Sequence, residues 1–357
     1  MQRRLCERLG ILHPLIQAPM AGVTTPSLVA AVSEAGALGS LAAGYLGGEQ
    51  IYHACREIQA RTSHPFSVNL FVPNKITAEA EDIAAAHRAL QPIAQQLALG
   101  PLPLPEQPAP GFDEQFSAIL EANVPVVSFT FGILSQAEIT ALKARDTFII
   151  GTATSKDEAC QLEAAGVDAI VVQGGEAGGH RGSFSARQAA SPQSLLTLLP
   201  EVSSQVSLPV IAAGGIMNGR GMAAAMAMGA AAVQLGTAFL FTPEAAINTA
   251  YRRALLAARG EDTQLTRVFS GKLARGINNA MMRRLAEAPV APYPLQHLLT
   301  QPLRQAAARQ DNEEYLSLWA GEGVAMGREL PVADLVALLI KESHNIAPLD
   351  EQDLVDV

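Results

Sequence analysis

The chain is poor in cysteine, in charge and in aromatic rings. Only three of its 357 residues are cysteines, Cys6, Cys55 and Cys160. They are scattered, odd in number and without C-x-x-C or zinc-ligand spacing. That argues against a disulfide framework and against a cysteine-based metal site, so no metal is expected and a reducing, cytoplasmic setting is. Charged residues make up 17% of the chain, with a formal net charge of −9. No cluster of Lys and Arg offsets this, so no nucleic-acid partner is expected. No apolar run is long and unbroken. The longest, Met222 to Phe241, is interrupted by Gly229, Gln234, Gly236 and Thr237, so no membrane span is expected. Arg3, Arg4 and Arg8 precede no apolar h-region, so a secretory signal is not expected either. The G-x-S-x-G, H-E-x-x-H and Walker patterns are missing. Gly214 to Gly221 does not spell G-x-G-x-x-G, which leaves a Rossmann dinucleotide site unsupported.

What is present is a regular alternation. Eight short runs rich in Val, Ile and Leu recur: Leu15–Ala18, Leu38–Ala42, Phe66–Phe71, Val124–Phe131, Thr147–Thr152, Ala169–Gln173, Val210–Ala213 and Ala232–Phe239. Helical patterns lie between them, among them Ser27–Ala35, Gly48–Arg61 and Lys156–Ala165. Continuous apolar strands alternating with helices imply a parallel sheet buried on both faces. Eight such units predict an α/β fold, a (β/α)8 TIM barrel spanning residues 1–241. A doubly wound sheet is the competing architecture. After Phe241 the alternation stops and helical segments dominate. A small C-terminal helical cap is expected over residues 242–330, with a last helix within 331–357 placed to pack back on the barrel. Between strands three and four, an alanine-rich helix (Ala78–Leu99) leads into the proline-rich stretch Pro101–Pro110, which reads as a stiff extended spacer.

Active sites of such barrels lie at the C-terminal ends of the strands, and there this chain places glycine. Ala169-Ile170-Val171-Val172 leads into Gln173-Gly174-Gly175-Glu176-Ala177-Gly178-Gly179-His180-Arg181-Gly182-Ser183-Phe184. Glycines let backbone approach a ligand, and His180 adds one group that titrates near neutrality. A structural loop histidine is the competing reading. Glu176 either orients that ring or is solvated. Gly214-Gly215-Ile216 follows strand seven and opens a helix, and Gln234-Leu235-Gly236-Thr237 belongs to strand eight. Free N–H groups and a helix N-terminus there suit a phosphate dianion, although two tight turns without a ligand are also consistent. Asn69 is a polar amide inside an apolar strand, which requires a partner in the protein or in a ligand. Gln173 poses the same question. Small residues in Gln17-Ala18-Pro19-Met20-Ala21-Gly22 would let a flat ring lie against backbone. The other histidines, His297 among them, fit no ligand or triad pattern and read as structural or surface residues.

Taken together, these blocks resemble the nitronate monooxygenases of the bacterial class I type. The resemblance includes Gly39-Ser40-Leu41-Ala42-Ala43-Gly44-Tyr45, Pro65–Pro73, Ser128-Phe129-Thr130-Phe131-Gly132, Gly271-Lys272 to Gly276, Tyr293-Pro294 and Leu318-Trp319-Ala320-Gly321. It implies a barrel holding FMN against Met20, Ala21, Asn69, Gln173, Gly178, Gly215, Gln234, Leu235, Gly236 and Thr237, with His180 as the catalytic residue beside the substrate. It also implies oxidation of alkyl nitronates of the propionate 3-nitronate class by O2, giving carbonyl compounds and nitrite or nitrate. A homodimer is compatible with it. Two departures stand out: Leu134 where the family usually has Pro, and Glu322 where it usually has Gln. Both bear on substrate preference more than on cofactor. A carboxylate-bearing substrate calls for a cation, and Arg181, Lys272 and Arg275 are candidates. Two alternatives remain at this level. One is an FMN-dependent NAD(P)H reductase of quinones or enoyl thioesters. The other is a non-catalytic barrel that binds a phosphate ligand.

Overall fold

Eight parallel strands wind round a single axis. In this computed structural model, residues 2–74, 79–104, 111–185 and 192–345 are described. The proline-rich residues 105–110 and the chain beyond residue 345 lie outside them. The strands are β1 (Leu15–Gln17), β2 (Gly39–Ala42), β3 (Phe66–Phe71), β4 (Val126–Thr130), β5 (Phe148–Ala153), β6 (Ala169–Gln173), the two-residue β7 (Gly179–His180), β8 (Val210–Ala213), β9 (Ala232–Leu235), β10 (Thr263–Thr266) and β11 (Ala274–Ile277). The large sheet runs β1-β9-β8-β6-β5-β4-β3-β2. A parallel bridge between Ile16 and Leu38 brings β1 back to the start of β2. Helices follow the strands and cover the outside, so the fold is the (β/α)8 barrel that the alternation predicts.

The strand period of two explains where chemistry can sit. On β6, Ile170 and Val172 join the layer packed against the helices, while Ala169 and Val171 join a separate interior cluster. That cluster includes Ile16, Leu38, Val126, Ile150 and Ile211, and Leu5 and Leu9 of the Gln2–Leu9 helix pack into it. Gln173 is the next residue on the inward register, past the apolar layer. The same count puts Asn69 on β3, Ser128 and Thr130 on β4, Thr152 on β5 and Gln234 on β9 at the C-terminal mouth, and each of them lines the cavity there. An apolar plug thus carries a polar layer on top.

The structure differs from the sequence reading at two places. The eighth barrel strand ends at Leu235, because Gly236 turns the chain into a short helix, Thr237–Leu240. The region after it is mostly helical, with helices such as Thr249–Ala257 and Leu295–Arg309, but it also carries β10 and β11. These pair antiparallel, and β11 pairs in turn with β7, opposing Ala274 to His180 and Arg275 to Gly179. Neither strand alternates in hydrophobicity, so periodicity could not announce them. The Val332–His344 helix lies against the Gly219–Ala227 and Pro26–Glu34 helices. No helix among the described residues is long and apolar enough to cross a membrane.

Close packing under the barrel rim supplies a test. A Cβ on Gly39 would overlap the backbone carbonyl of Val29 in the adjacent helix. Backbone on both sides cannot move aside cheaply, so Gly39→Ala should destabilise the protein by about 1–3 kcal/mol. Urea unfolding monitored by circular dichroism measures this, and an unchanged midpoint would show that the contact is slack.

Candidate active site

The loop after β6 is fastened by its own side chains. The Gln173 amide donates from Nε2 to the His180 carbonyl at 3.0 Å, and its Oε1 accepts the Gly182 N–H at 2.8 Å. Arg181 folds back and donates from Nη1 to the carbonyls of Gln173 and Gly174, both at 2.7 Å. Further along, the buried Glu158 accepts the N–H groups of Phe184 and Ser185, each at 2.9 Å. Its other oxygen accepts the Thr154 N–H at 2.7 Å and the Thr154 hydroxyl at 2.8 Å. Glu176 does not orient His180. Both its oxygens take the Leu195 N–H at 2.9 Å, at the start of the Leu195–Ser203 helix.

His180 is oriented instead by the cap. Its Nε2 lies 2.7 Å from the hydroxyl of Ser270, in the β10–β11 connection. The rings of Trp319, Phe131 and Tyr293 stand around it at centroid distances of 5.4, 6.0 and 6.0 Å. Phe131 holds a left-handed φ of +75°, a costly conformation for a bulky residue. Its ring carries the Lys272 ammonium 4.4 Å from the centroid. Burial pushes the His180 imidazole down to about 3, and the Lys272 and Arg304 cations add to the effect. The ring is therefore neutral near pH 7.

All eleven residues singled out from the sequence line one cavity of about 640 Å³ at the barrel mouth: His180, Met20, Ala21, Asn69, Gln173, Gly178, Gly215, Gln234, Leu235, Gly236 and Thr237. The Asn69 amide has partners in the protein, donating to Ser128 Oγ at 2.9 Å and Thr130 Oγ1 at 3.3 Å. Gly178 packs against Ala320 and Gly321 of the cap with no room for a side chain. On the same cavity wall, Gly214 and Gly215 hold left-handed φ values of +122° and +69°. The N–H groups of Gly214, Gly215, Gly236 and Thr237 have no protein acceptor among the described residues. Unpaired N–H groups gathered on one cavity wall suit an anion. The helix that follows β8 does not contribute its N-terminus as anticipated. Its Gly219 N–H is taken by Glu342 at 2.9 Å and its Gly221 N–H by Asn218 at 2.9 Å.

The three cations proposed for a substrate carboxylate serve as fasteners. Arg275 donates to the Gly175 carbonyl at 3.0 Å and pairs with Glu322 at 2.8 Å, which gives the unusual Glu322 a partner. Lys272 donates to the Ser183 carbonyl at 2.9 Å, and Arg181 is committed as above. Among the described residues, the cation on the cavity wall is Arg304. It donates to the His297 carbonyl at 3.0 Å and to His297 Nδ1 at 3.3 Å. A guanidinium can only donate, so His297 is neutral, with its proton on Nε2. His297, read from the sequence as structural, stacks on Tyr45 at 4.3 Å and lines the cavity. Sequence reasoning missed Arg304, His297 and Ser270. One signal was available: His297, Gln301, Arg304 and Gln305 recur at helical spacing on Leu295–Arg309, a polar stripe aimed at the mouth.

The fold and its mouth define a TIM-barrel protein with a ligand-sized cavity at the C-terminal ends of the strands, and the comparisons identify it as an oxidoreductase. The family model described as nitronate monooxygenase matches residues 2–342. A probable nitronate monooxygenase of Staphylococcus aureus (strain Newman) is 40% identical over 97% of this chain and 98% of its own. One from Staphylococcus saprophyticus is 38% identical over 96% and 98%. Among solved structures, a nitroalkane oxidase from Streptomyces ansochromogenes is 41% identical and covers 94% of this chain and 96% of its own with a TM-score of 0.89. FabK from Thermotoga maritima is 30% identical, covers 96% of each chain and has a TM-score of 0.76. The chain belongs to the nitronate monooxygenase family.

The enclosed histidines predict an acid sensitivity. Burial, followed by the Arg304 cation and the neighbouring His180 ring, pushes His297 down to about 3. Between the ordinary value of about 6.5 and that value, the unfolded chain binds a proton that the folded chain does not. Stability is therefore complete above about pH 6.5 and is lost as pH falls. His297→Gln should reduce the drop in urea midpoint between about pH 7 and about pH 4.5. A drop as large as that of the parent would count against the assignment.

Proposed function

We propose that this chain binds FMN in the mouth cavity and oxidises alkyl nitronates with O2, favouring nitronates that carry a carboxylate. The observation behind this reading is that one cavity is lined both by four N–H groups without acceptors among the described residues and by a neutral, cap-held imidazole. The N–H groups of Gly214, Gly215, Gly236 and Thr237 suit the FMN phosphate. The polar layer from Asn69 to Gln234 and the backbone at Met20–Ala21 suit its ring system. When bound, FMN supplies the electron acceptor for substrate oxidation.

The chain's own groups do the rest. With Nε2 tied to Ser270, His180 meets substrate through Nδ1. It hydrogen-bonds an anionic nitronate there, or accepts the α-proton of a neutral nitroalkane. Arg304 has no carboxylate partner among the described residues, and burial draws it down to about 10, still a cation at neutral pH. An enclosed cation without a counter-ion is costly, and a substrate carboxylate would offset that cost with a charge-assisted pair. Tyr45, whose hydroxyl accepts a hydrogen bond from that of Tyr293 at 3.3 Å, closes the mouth beside it.

The direct test loads the protein with FMN and supplies propionate 3-nitronate in an oxygen electrode. O2 uptake with nitrite release is expected. No uptake, together with anaerobic bleaching by NADH or NADPH, would replace this reading with a reductase. His180→Asn should lower kcat/KM for nitroethane by about 10²–10⁴-fold while costing the preformed nitronate less than about tenfold. Equal nitroethane turnover by both proteins sinks the base assignment. Arg304→Gln should raise KM for propionate 3-nitronate by about tenfold or more and leave that for ethyl nitronate unchanged. Equal increases for both would show that Arg304 shapes the pocket without reading the carboxylate.

A further inference from the structure

Ser270 is placed with more care than a lining residue needs. It sits in a turn in which the N–H groups of Ser270 and Gly271 both reach the Arg267 carbonyl, at 3.2 and 2.8 Å. Gly271 takes a left-handed φ of +85° and leaves no room for a Cβ against Ala291 and Tyr293. The serine is 1% exposed. Its hydroxyl has three neighbours: His180 Nε2 at 2.7 Å, the Lys272 carbonyl at 3.2 Å and the Lys272 N–H at 3.3 Å.

The hydrogen inventory of that cluster is closed. A serine hydroxyl has one hydrogen and two acceptor positions. The Lys272 N–H can only donate to it and the Lys272 carbonyl can only accept from it. Two arrangements remain. In the first, Ser270 gives its hydrogen to Nε2, and the single proton of the neutral imidazole sits on Nδ1. In the second, Ser270 turns its hydrogen to the Lys272 carbonyl and accepts from Nε2–H, and Nδ1 is bare.

We propose that Ser270 is the positioning residue that sets the tautomer of His180, so that the direction of its hydrogen bond at Nε2 goes with whether Nδ1 carries a proton or a lone pair. The inference rests on the nitronate reading for its consequence, though not for its geometry. A nitronate is an anion and is held by the first arrangement through Nδ1–H. A neutral nitroalkane needs the second. Its α C–H bond breaks, the electron pair stays on the substrate as the nitronate, and the proton goes to Nδ1. Nε2–H remains on Ser270. The ring need not flip, which matters because Trp319, Phe131 and Tyr293 stand around it. Passing between the two arrangements takes the hydroxyl rotation together with relocation of the single ring proton, which leaves one ring nitrogen to solvent or substrate as another arrives at the other nitrogen.

The test is nuclear magnetic resonance of protein labelled with 15N-histidine, without cofactor and after FMN loading, combined with kinetics. In the wild type, the His180 Nε2 signal should be that of a hydrogen-bonded nitrogen. An unbonded Nε2 overturns the proposal, and this reading needs no variant to fold. In Ser270→Ala the His180 shifts should change, with kcat for nitroethane falling about 10–100-fold, the range seen when an orienting partner is removed. KM for the preformed nitronate should rise with a smaller change in kcat. Ser270→Thr, which keeps the hydroxyl, should return both shifts and kcat toward wild type. Shifts in Ser270→Ala identical to wild type, or a Ser270→Thr protein of unchanged thermal midpoint that behaves like Ser270→Ala, would overturn it. Wild-type protein that turns over neither substrate would count against the nitronate reading alone, since the hydrogen bond is read in the spectrum.

Discussion

The paired hydrogen bonds of the Gln173 amide hold the active end of this protein together. One side chain at the last inward position of β6 grips the His180 carbonyl and the Gly182 N–H at once. Arg181 closes the same loop from the other side by binding the carbonyls of Gln173 and Gly174. The run from Gln173 through Gly182, with five glycines, would otherwise be among the least ordered parts of the chain, because glycine loses the most freedom on folding. Both clamps are buried or half-buried, where a satisfied amide is worth keeping and an unsatisfied one is expensive. The result is flexible chemistry made rigid: backbone that can approach a ligand, with a histidine whose place is fixed.

That rigidity extends into the cap through the small β10-β11-β7 sheet. His180 is itself a strand residue, opposed to Ala274, and the Arg181 N–H reaches the Leu273 carbonyl at 2.8 Å. Lys272 and Arg275 bind barrel carbonyls with their side chains. Glu158 compensates the positive charge gathered there, since it stabilises the charged forms of both Arg181 and Lys272. Of the cations first considered for substrate, Lys272 and Arg275 join cap to barrel and Arg181 fastens the loop after β6. Arg304 is left to face the cavity.

Much of this was legible in the residues. Eight apolar runs predicted the barrel because a parallel strand buried on both faces has to be apolar throughout. Polar interruptions of those runs, at Asn69, Gln173 and Gln234, marked the mouth because a polar side chain on an inward register is tolerated only where it finds a partner or a ligand. Glycines at Gly178, Gly215 and Gly236 marked close approach of backbone. Other features were not legible. Glu176 stands four residues before His180, yet it caps a helix beginning at Leu195. The partner of His180 is Ser270, ninety residues away. His297 matched no motif because its role depends on Tyr45 and Arg304, from another element and another turn of its own helix.

The sequence by itself determined the barrel, the end of it that is active and the strand ends that carry glycine, because these follow from local periodicity and local backbone freedom. It also placed the chain in its family by resemblance. Only the tertiary structure decided which hydrogen bond orients His180, which cation faces the cavity and which N–H groups stay free. Those outcomes depend on pairings between distant segments, where a charge or a donor takes whichever partner the packing brings within about 3 Å, and no spacing along the chain records that choice.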